Sequence, residues 1–166
     1  GIIPEHHKKV VPAVITTDGP ARIRIRKYTS LLPCGTALAS TFNTRLVEEL
    51  CFEMGKELKN AGSNVLLAPG MNIHRNPLCG RNFEYFSEDP LLTGKMAAAF
   101  VRGIQSSGGS ACPKHFACNN QESSRTINNS IVSQRALREI YLKGFEICVK
   151  EAKPLNIMTS YNKING

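Results

Sequence analysis

Seven side chains in this sequence are of types that can grip a neutral, hydroxyl-rich ligand: Asp18, Arg24, Arg81, Lys114, His115, Arg125 and Tyr161. An ionised Asp accepts two hydroxyl protons, while Lys and Arg donate to hydroxyl oxygens in short, charge-assisted bonds. Each such bond rejects an analogue lacking the hydroxyl, because the buried charge is then left unpaired. The same surplus of cations suits a phosphate or carboxylate, and chemistry alone leaves that alternative open. Taken singly, several of these residues have plainer readings. Asp18-Gly19-Pro20 is a turn signal, Arg24 and Arg26 fit alternate solvated positions of an irregular strand, and a lone histidine such as His115 is more often structural. Glu84, Glu88, Asp89 and Glu122 supply carboxylates without any pair standing out, and Glu88-Asp89 reads as a loop end and helix cap. Cys112-x-x-His115-x-x-Cys118, with Cys79 or His74 nearby, matches no structural zinc spacing, so no metal is expected. Neither a Gly-x-Gly-x-x-Gly turn nor a phosphate loop is present, and no cofactor is expected.

The elements that must position these groups read as strands alternating with helices. Val11 to Thr17 is a short apolar run closed by the Asp18-Gly19-Pro20 turn. From Thr41 to Ala61, Leu46, Val47, Leu50, Met54 and Leu58 recur at helical spacing, and Gly62 is placed to stop that helix. Asn64 to Ala68 is the next strand, followed by a polar loop over 69–88. Asp89-Pro90 then starts a helix through Met96, Phe100 and Ile104, ended by Gly108-Gly109. Ser110-Ala111-Cys112-Pro113 falls where a third strand is due. Ser133 caps a helix carrying Leu137, Ile140, Tyr141, Phe145 and Cys148, and Leu155 to Ser160 is the fourth strand. Four strands with three helices, at intervals of about 45 to 50 residues, demand a parallel sheet. The polar loops leave the C-terminal ends of the strands, where barrels and open α/β sheets both place their chemistry. Four strands cannot close an eight-stranded barrel. Tyr161 to Gly166 leave the last strand as a loop with no helix to follow, which favours part of a barrel over a small open sheet.

Composition narrows the classes further. With 42% hydrophobic and 20% charged residues in 166, the chain can bury a core and shows no signature of disorder. No apolar run reaches the roughly 18 residues of a membrane span, so no membrane partner is expected. The net charge of +8 raises the question of nucleic acid. The Arg22, Arg24, Arg26, Lys27 cluster has no interleaved aromatics and no nucleic-acid motif appears, so none is expected. Six cysteines at low density favour free thiols and a cytoplasmic location. Gly1 to Lys9 has no continuous apolar core and does not read as a signal peptide, which leaves export itself open. Asn128-Asn129-Ser130 is a lone glycosylation match of the kind chance supplies.

Several stretches together resemble glycoside hydrolase family 3, the β-glucosidase family. They are Thr17-Asp18-Gly19-Pro20 with Arg24; Leu67 to Arg75; Gly80-Arg81-Asn82-Phe83-Glu84-Tyr85-Phe86-Ser87-Glu88-Asp89-Pro90; Lys114-His115-Phe116 with Arg125; Leu137-Arg138-Glu139; and Met158-Thr159-Ser160-Tyr161-Asn162. They occur in the family's order over essentially the whole chain. The resemblance implies an incomplete portion of a (β/α) TIM-type barrel, about four parallel strands with three helices. Residues 1–166 would be part of the N-terminal barrel domain, with the rest of the barrel and a C-terminal α/β sandwich elsewhere. It implies a β-glucoside or oligosaccharide substrate and, as partner, the rest of the same enzyme.

Carried over by position, Asp18 resembles the carboxylate that holds the 4- and 6-hydroxyls of the terminal sugar. Arg81, Lys114 and His115 resemble the group around the 3- and 4-hydroxyls. Arg24 and Arg125 match pocket arginines, Arg125 near the 2-hydroxyl, and Tyr161 matches the tyrosine beside the nucleophile. The Lys114–His115 peptide is often cis in relatives. The hydroxymethyl contact favours glucose over xylose; galactose and linkage preference are not legible. One departure is Arg22, where the family commonly has Gly, which would set a bulky cation at the pocket rim. The nucleophilic Asp, within a Ser-Asp-Trp triplet, and the acid/base Glu of the second domain match nothing here. No catalytic residue is therefore expected within residues 1–166. Two alternatives remain: a non-catalytic sugar-binding module from the same barrel, and a binder of phosphorylated or nucleic-acid ligands, whose affinity would fall steeply with salt.

Overall fold

A computed structural model describes residues 1–6 and 12–166. The expected first strand spans Val14–Asp18 (β2), and its anticipated start at Val11 lies outside the described residues. β3 (Val65–Leu67) runs parallel to it with Thr17 opposite Leu66, and β4 (Ser110–Ala111) continues the parallel order with Ala111 opposite Leu66. At the other edge β1 (Ile2–Ile3) pairs antiparallel with β2. The main sheet is therefore mixed, which corrects the expectation of parallel strands alone. A two-residue strand held by backbone pairing leaves no periodicity to read.

Beyond β4 the chain breaks at Pro113, which has no N–H to give a ladder, and resumes as β5 (Lys114–Phe116). The fourth strand is shorter than its apolar run: β7 covers only Met158–Thr159 and pairs in parallel with β5. Met158 donates to the Pro113 carbonyl at 3.0 Å and Ser160 to that of Phe116 at 2.9 Å. The final residues are not a bare loop either. Lys163–Ile164 (β8) pairs in parallel with Asn129–Ser130 (β6).

A short helix, Gly35–Ala39 (α1), precedes the first long one, Thr44–Asn60 (α2). Asn43 starts α2 by accepting the Leu46 N–H at 3.0 Å, an Asn N-cap. The buried stripe is Val47, Cys51, Met54 and Leu58, each about one turn beyond the last on one face. Leu46, expected within it, is 38% exposed. Gly62 takes a φ of 73° after the last turn. There its N–H reaches the Lys59 carbonyl and that of Ser63 reaches Leu58, closing the helix end in a left-handed cap.

Asp89 caps Pro90–Ser106 (α3), its carboxylate accepting the Leu92 N–H at 2.6 Å. α3 buries nearly every residue from Thr93 to Ile104, because α2 packs on one side and the third helical run on the other. That run starts at Ser133, spans Gln134–Ala136 (α4), passes through a π turn at Leu137–Tyr141, and continues as Lys143–Ala152 (α5). The π turn inserts a residue into the helical period. Phe145 and Cys148 are buried while Ile140 stays 38% exposed.

α2 and α3 approach closely at glycines. A Cβ on Gly103 would lie 2.4 Å from the Glu48 carbonyl and 2.7 Å from Cys51 Cβ, so neither neighbour can yield without moving α2. Gly103→Ala is expected to cost about 2–3 kcal/mol, as overpacking of a filled core does. A thermal or denaturant midpoint checks it, and an unchanged midpoint would show that the helix pair can separate freely.

Candidate functional site

The strands end at one cleft, and each loop delivers its groups for a local reason. Asp18 is the last residue of β2. Gly19 follows with a φ of 140°, and a Cβ there would lie 1.5 Å from the Arg22 carbonyl oxygen, so only glycine lets the turn fold back so tightly. The return is fixed by Arg24 N–H to the Asp18 carbonyl (2.9 Å) and the Thr17 hydroxyl to the Arg24 carbonyl (3.0 Å). Both Asp18 and Arg24 are exposed. Asp18 has no side-chain hydrogen bond or ion pair among the described residues, leaving its carboxylate available. Arg22 is exposed and is not among the residues that line the cleft.

After β3 the polar loop closes in a 3₁₀ turn, Asn82–Glu84. This turn brings Glu84 back onto Arg81, with a short contact between its carboxylate and Arg81 Nε, and towards Lys114 Nζ at 3.5 Å. The Glu84 and Lys114 side chains are only 3% and 5% exposed, so one buried carboxylate serves two cations. For Arg81, burial works against the charge, but the hydrogen bond and charge of Glu84 outweigh it and hold the guanidinium pKa above its ordinary value. For Lys114 burial prevails and lowers the pKa, the neighbouring Arg81 adding to the fall while Glu84 and Asp18 oppose it.

Lys114–His115 is a cis peptide, as the resemblance implied, and so are Ala68–Pro69 and Phe116–Ala117. Asn72 reads both sides of His115: its Oδ1 accepts the backbone N–H at 2.8 Å and its Nδ2 donates to the carbonyl at 2.9 Å. The ring meets Tyr85 edge to face, with the Tyr85 hydroxyl 3.3 Å from Nδ1. Burial, then the charges of Arg81, Lys114 and Arg125, push the His115 pKa down to about 3. A ring neutral in the fold but protonated in the unfolded chain below pH 6.5 makes stability fall as pH drops from about 6.5 towards 3. His115→Gln is expected to flatten that fall, retaining about 2 kcal/mol more of its neutral-pH stability at pH 5 than the parent does. Parallel midpoints at pH 5 and 7 measure the difference, and identical pH dependence in the two proteins would refute it.

Arg125 lies on the loop after β5, 3.5 Å from Glu122 and over the Tyr161 ring at 5.0 Å from its centroid. Tyr161, 66% exposed, follows β7. All seven expected residues thus line one cleft of about 440 Å³, together with Gly19, Pro20, Phe83, Glu84 and Met158. Glu84 is among the polar groups that the sequence places after β3, but no contact is assigned to it there, although its three-residue spacing from Arg81 is that of a pair on a helical turn. Phe83, 54% exposed, adds an apolar ring at the rim. The cleft mixes cationic donors with a free carboxylate, and two of its four cations share Glu84, which offsets one unit of their charge. Such a lining offers donors and acceptors together, as a polyol requires. A phosphate would meet the uncompensated charge of Asp18.

This is an α/β unit whose ligand cleft lies at the carboxyl ends of its strands, the placement seen in barrels. Residues 4–166 match the glycosyl hydrolase family 3 N terminal domain, and the chain belongs to that family. It is 52% identical over 158 residues to a beta-glucosidase of Ruminococcus albus, covering 94% of this chain and 17% of that protein. The structure of beta-glucosidase 3B from Thermotoga neapolitana in complex with alpha-D-glucose matches with a TM-score of 0.97 at 53% identity, over 100% of this chain and 24% of that one. A beta-glucosidase from Kluyveromyces marxianus in complex with glucose gives 0.96 at 46% identity, over 99% and 20% of the two chains. The chain spans about a fifth of the length of the curated relatives it matches.

Proposed function

We propose that this chain is the sugar-binding part of a retaining β-glucosidase that removes terminal non-reducing β-D-glucosyl residues. The observation that carries the reading is the convergence of Asp18, Arg24, Arg81, Lys114, His115, Arg125 and Tyr161 on one cleft, in a chain half identical to beta-glucosidases. Asp18 takes the protons of the 4- and 6-hydroxyls, while Arg81, Lys114 and His115 engage the ring hydroxyls beside them. Arg125, backed by Glu122, reaches towards the 2-hydroxyl.

Bond cleavage needs two further carboxylates, about 5 to 5.5 Å apart in a retaining enzyme. Within the cleft Glu84 is buried between two cations and Asp18 is committed to binding, so neither suits that work. The nucleophilic Asp and the acid/base Glu belong to the rest of the barrel and to a C-terminal α/β sandwich, outside residues 1–166. The Asp attacks the anomeric carbon as the Glu protonates the departing oxygen. The Glu then takes a proton from the water that releases the sugar. Exposed Phe116, Val149, Leu155 and Ile157 support further protein packing on the β5–β7 and α5 side. A cytoplasmic location is part of the same proposal, supported by six cysteines without a disulfide.

Assay of the full-length gene product on a panel of 4-nitrophenyl glycosides tests the reading. Preference for the β-glucoside is the expected result. Exclusive activity on a pentoside, or none on any glycoside, would overturn it.

A further inference from the structure

The cleft as described leaves undecided which ring nitrogen His115 shows to a ligand, and with which proton. We propose that Tyr85 and Asn72 are positioning residues that hold His115 as its Nδ1–H tautomer, so that Nε2 offers the cleft a neutral acceptor for a hydroxyl proton. The identity of the ligand in this inference rests on the sugar-binding reading; the tautomer does not.

The hydrogen bonds favour one assignment. The Asn72 amide cannot be flipped, because its Oδ1 accepts the His115 N–H at 2.8 Å and its Nδ2 meets the His115 carbonyl at 2.9 Å. The Asn72 atom 3.4 Å from His115 Nδ1 is therefore an oxygen, which carries lone pairs and no proton. The second neighbour of Nδ1 is the Tyr85 hydroxyl at 3.3 Å. That hydroxyl already accepts from Asn119 Nδ2 at 2.9 Å, and its own proton can turn to the Asn119 carbonyl at 3.5 Å. With a proton on Nδ1, both neighbours accept it and every group in the cluster is matched. With Nδ1 bare, the Tyr85 hydroxyl can donate to it at 3.3 Å. The Nδ1 lone pair then faces those of Asn72 Oδ1 at 3.4 Å and the Asn119 carbonyl loses the Tyr85 proton, in a dry site where mismatched polar groups are costly.

The arrangement is also rigid. Tyr85 is fully buried, and its ring lies so close to Gly70 that a Cβ there would come within 2.9 Å of it. Asn119 is anchored in turn by Glu122 at 2.9 Å. Nε2 has no protein partner among the described residues, yet it is not among their sealed, unpartnered polar atoms, and His115 lines the cleft. The low His115 pKa keeps a second proton off the ring at neutral pH.

The consequence is selectivity. Arg24, Arg81, Lys114 and Arg125 are all donors, and Glu84 is occupied by two of them. An Nε2 acceptor therefore stands beside Asp18 as one of few free acceptors in the cleft. A ligand must bring a hydroxyl proton to it, and a fluorine or ether oxygen at that position is rejected.

The test uses the full-length protein labelled with ¹⁵N-histidine, in long-range ¹H–¹⁵N correlation spectra at neutral pH, with the His115 signals assigned by their loss in His115→Gln. Wild type is expected to show a protonated Nδ1 and a bare Nε2. Tyr85→Phe, which removes one of the two acceptors, is expected to move the Nε2 resonance towards its protonated value. A wild-type ring protonated on Nε2 overturns the proposal without any substitution at Tyr85, and an unchanged tautomer in Tyr85→Phe overturns the role of Tyr85. These spectra need no glycosidase activity, so they stand apart from any failure of the functional reading. The kinetic arm compares 4-nitrophenyl β-glucosides carrying fluorine for one hydroxyl. The kcat/KM penalty at one ring position is expected to shrink about 5- to 10-fold in Tyr85→Phe, the worth of one hydrogen bond; equal penalties in the two proteins would count against it.

Discussion

Asp18→Asn in the full-length enzyme is expected to lower kcat/KM on 4-nitrophenyl β-glucoside by about 10²- to 10³-fold, the worth of two charge-assisted hydrogen bonds to hydroxyls. The substitution replaces one carboxylate oxygen by an amide nitrogen, which donates where the sugar also donates. Because Asp18 is exposed and makes no side-chain bond among the described residues, its charge reaches the fold only through its pull on Lys114, and the thermal midpoint should move little. The loss should be smaller on the β-xyloside, which has no 6-hydroxyl to forfeit. Activity within a few-fold of wild type on the glucoside would remove Asp18 from the sugar site.

Glu84→Gln should act through the opposite route, by damaging the protein before any ligand arrives. Gln keeps the shape but leaves Arg81 and the buried Lys114 facing each other without their shared anion. Removing one partner of a buried pair costs about 3–5 kcal/mol. Lys114 already has a lowered pKa because burial outweighs the pull of Glu84, and without that pull it falls further. A folded-state lysine with a depressed pKa binds fewer protons than the unfolded chain in the window between the two values. Stability therefore rises with pH through that window and is lost as pH falls back through it. The Glu84→Gln deficit should accordingly be larger at neutral pH than near pH 9.5, and the alkaline limb of activity should move to lower pH. Denaturant midpoints at the two pH values and a kcat/KM profile test both halves. A deficit independent of pH would mean that Lys114 does not depend on Glu84 for its charge.

What the sequence revealed, and what it hid, follows from the range of the interactions involved. Asp89-Pro90 and Ser133 announce helix starts because capping is local, and Gly62 and Gly19 mark conformations that only their own φ demands. The seven cleft residues were legible because polar groups follow strand ends that alternate regularly with helices, and because the motifs around them resemble those of the family. β1, β6 and β8 were not, since each is two residues long and exists only through backbone pairing with a distant segment. The same holds for the cluster behind His115. Asn72, Tyr85 and Asn119 lie 43, 30 and 4 positions away from it, and nothing in an Asn or a Tyr by itself declares such a bond. Once Glu88 and Asp89 are read as a loop end and helix cap, nothing separates Glu84 from Glu122 until burial singles it out.

The sharing of Glu84 between Arg81 and Lys114 also bears on how the cleft can diversify. Loss of Glu84 strands two cations and loss of either cation removes one of the two partners of a buried carboxylate, so the three residues form one heritable unit in which single steps are penalised and coordinated replacement is favoured. Arg24, Arg125, Tyr161 and Phe83 carry no such mutual debt, being exposed or only lightly tethered. New ligand preferences, whether selected or engineered, should therefore arise first along that outer wall, with the inner triad inherited intact.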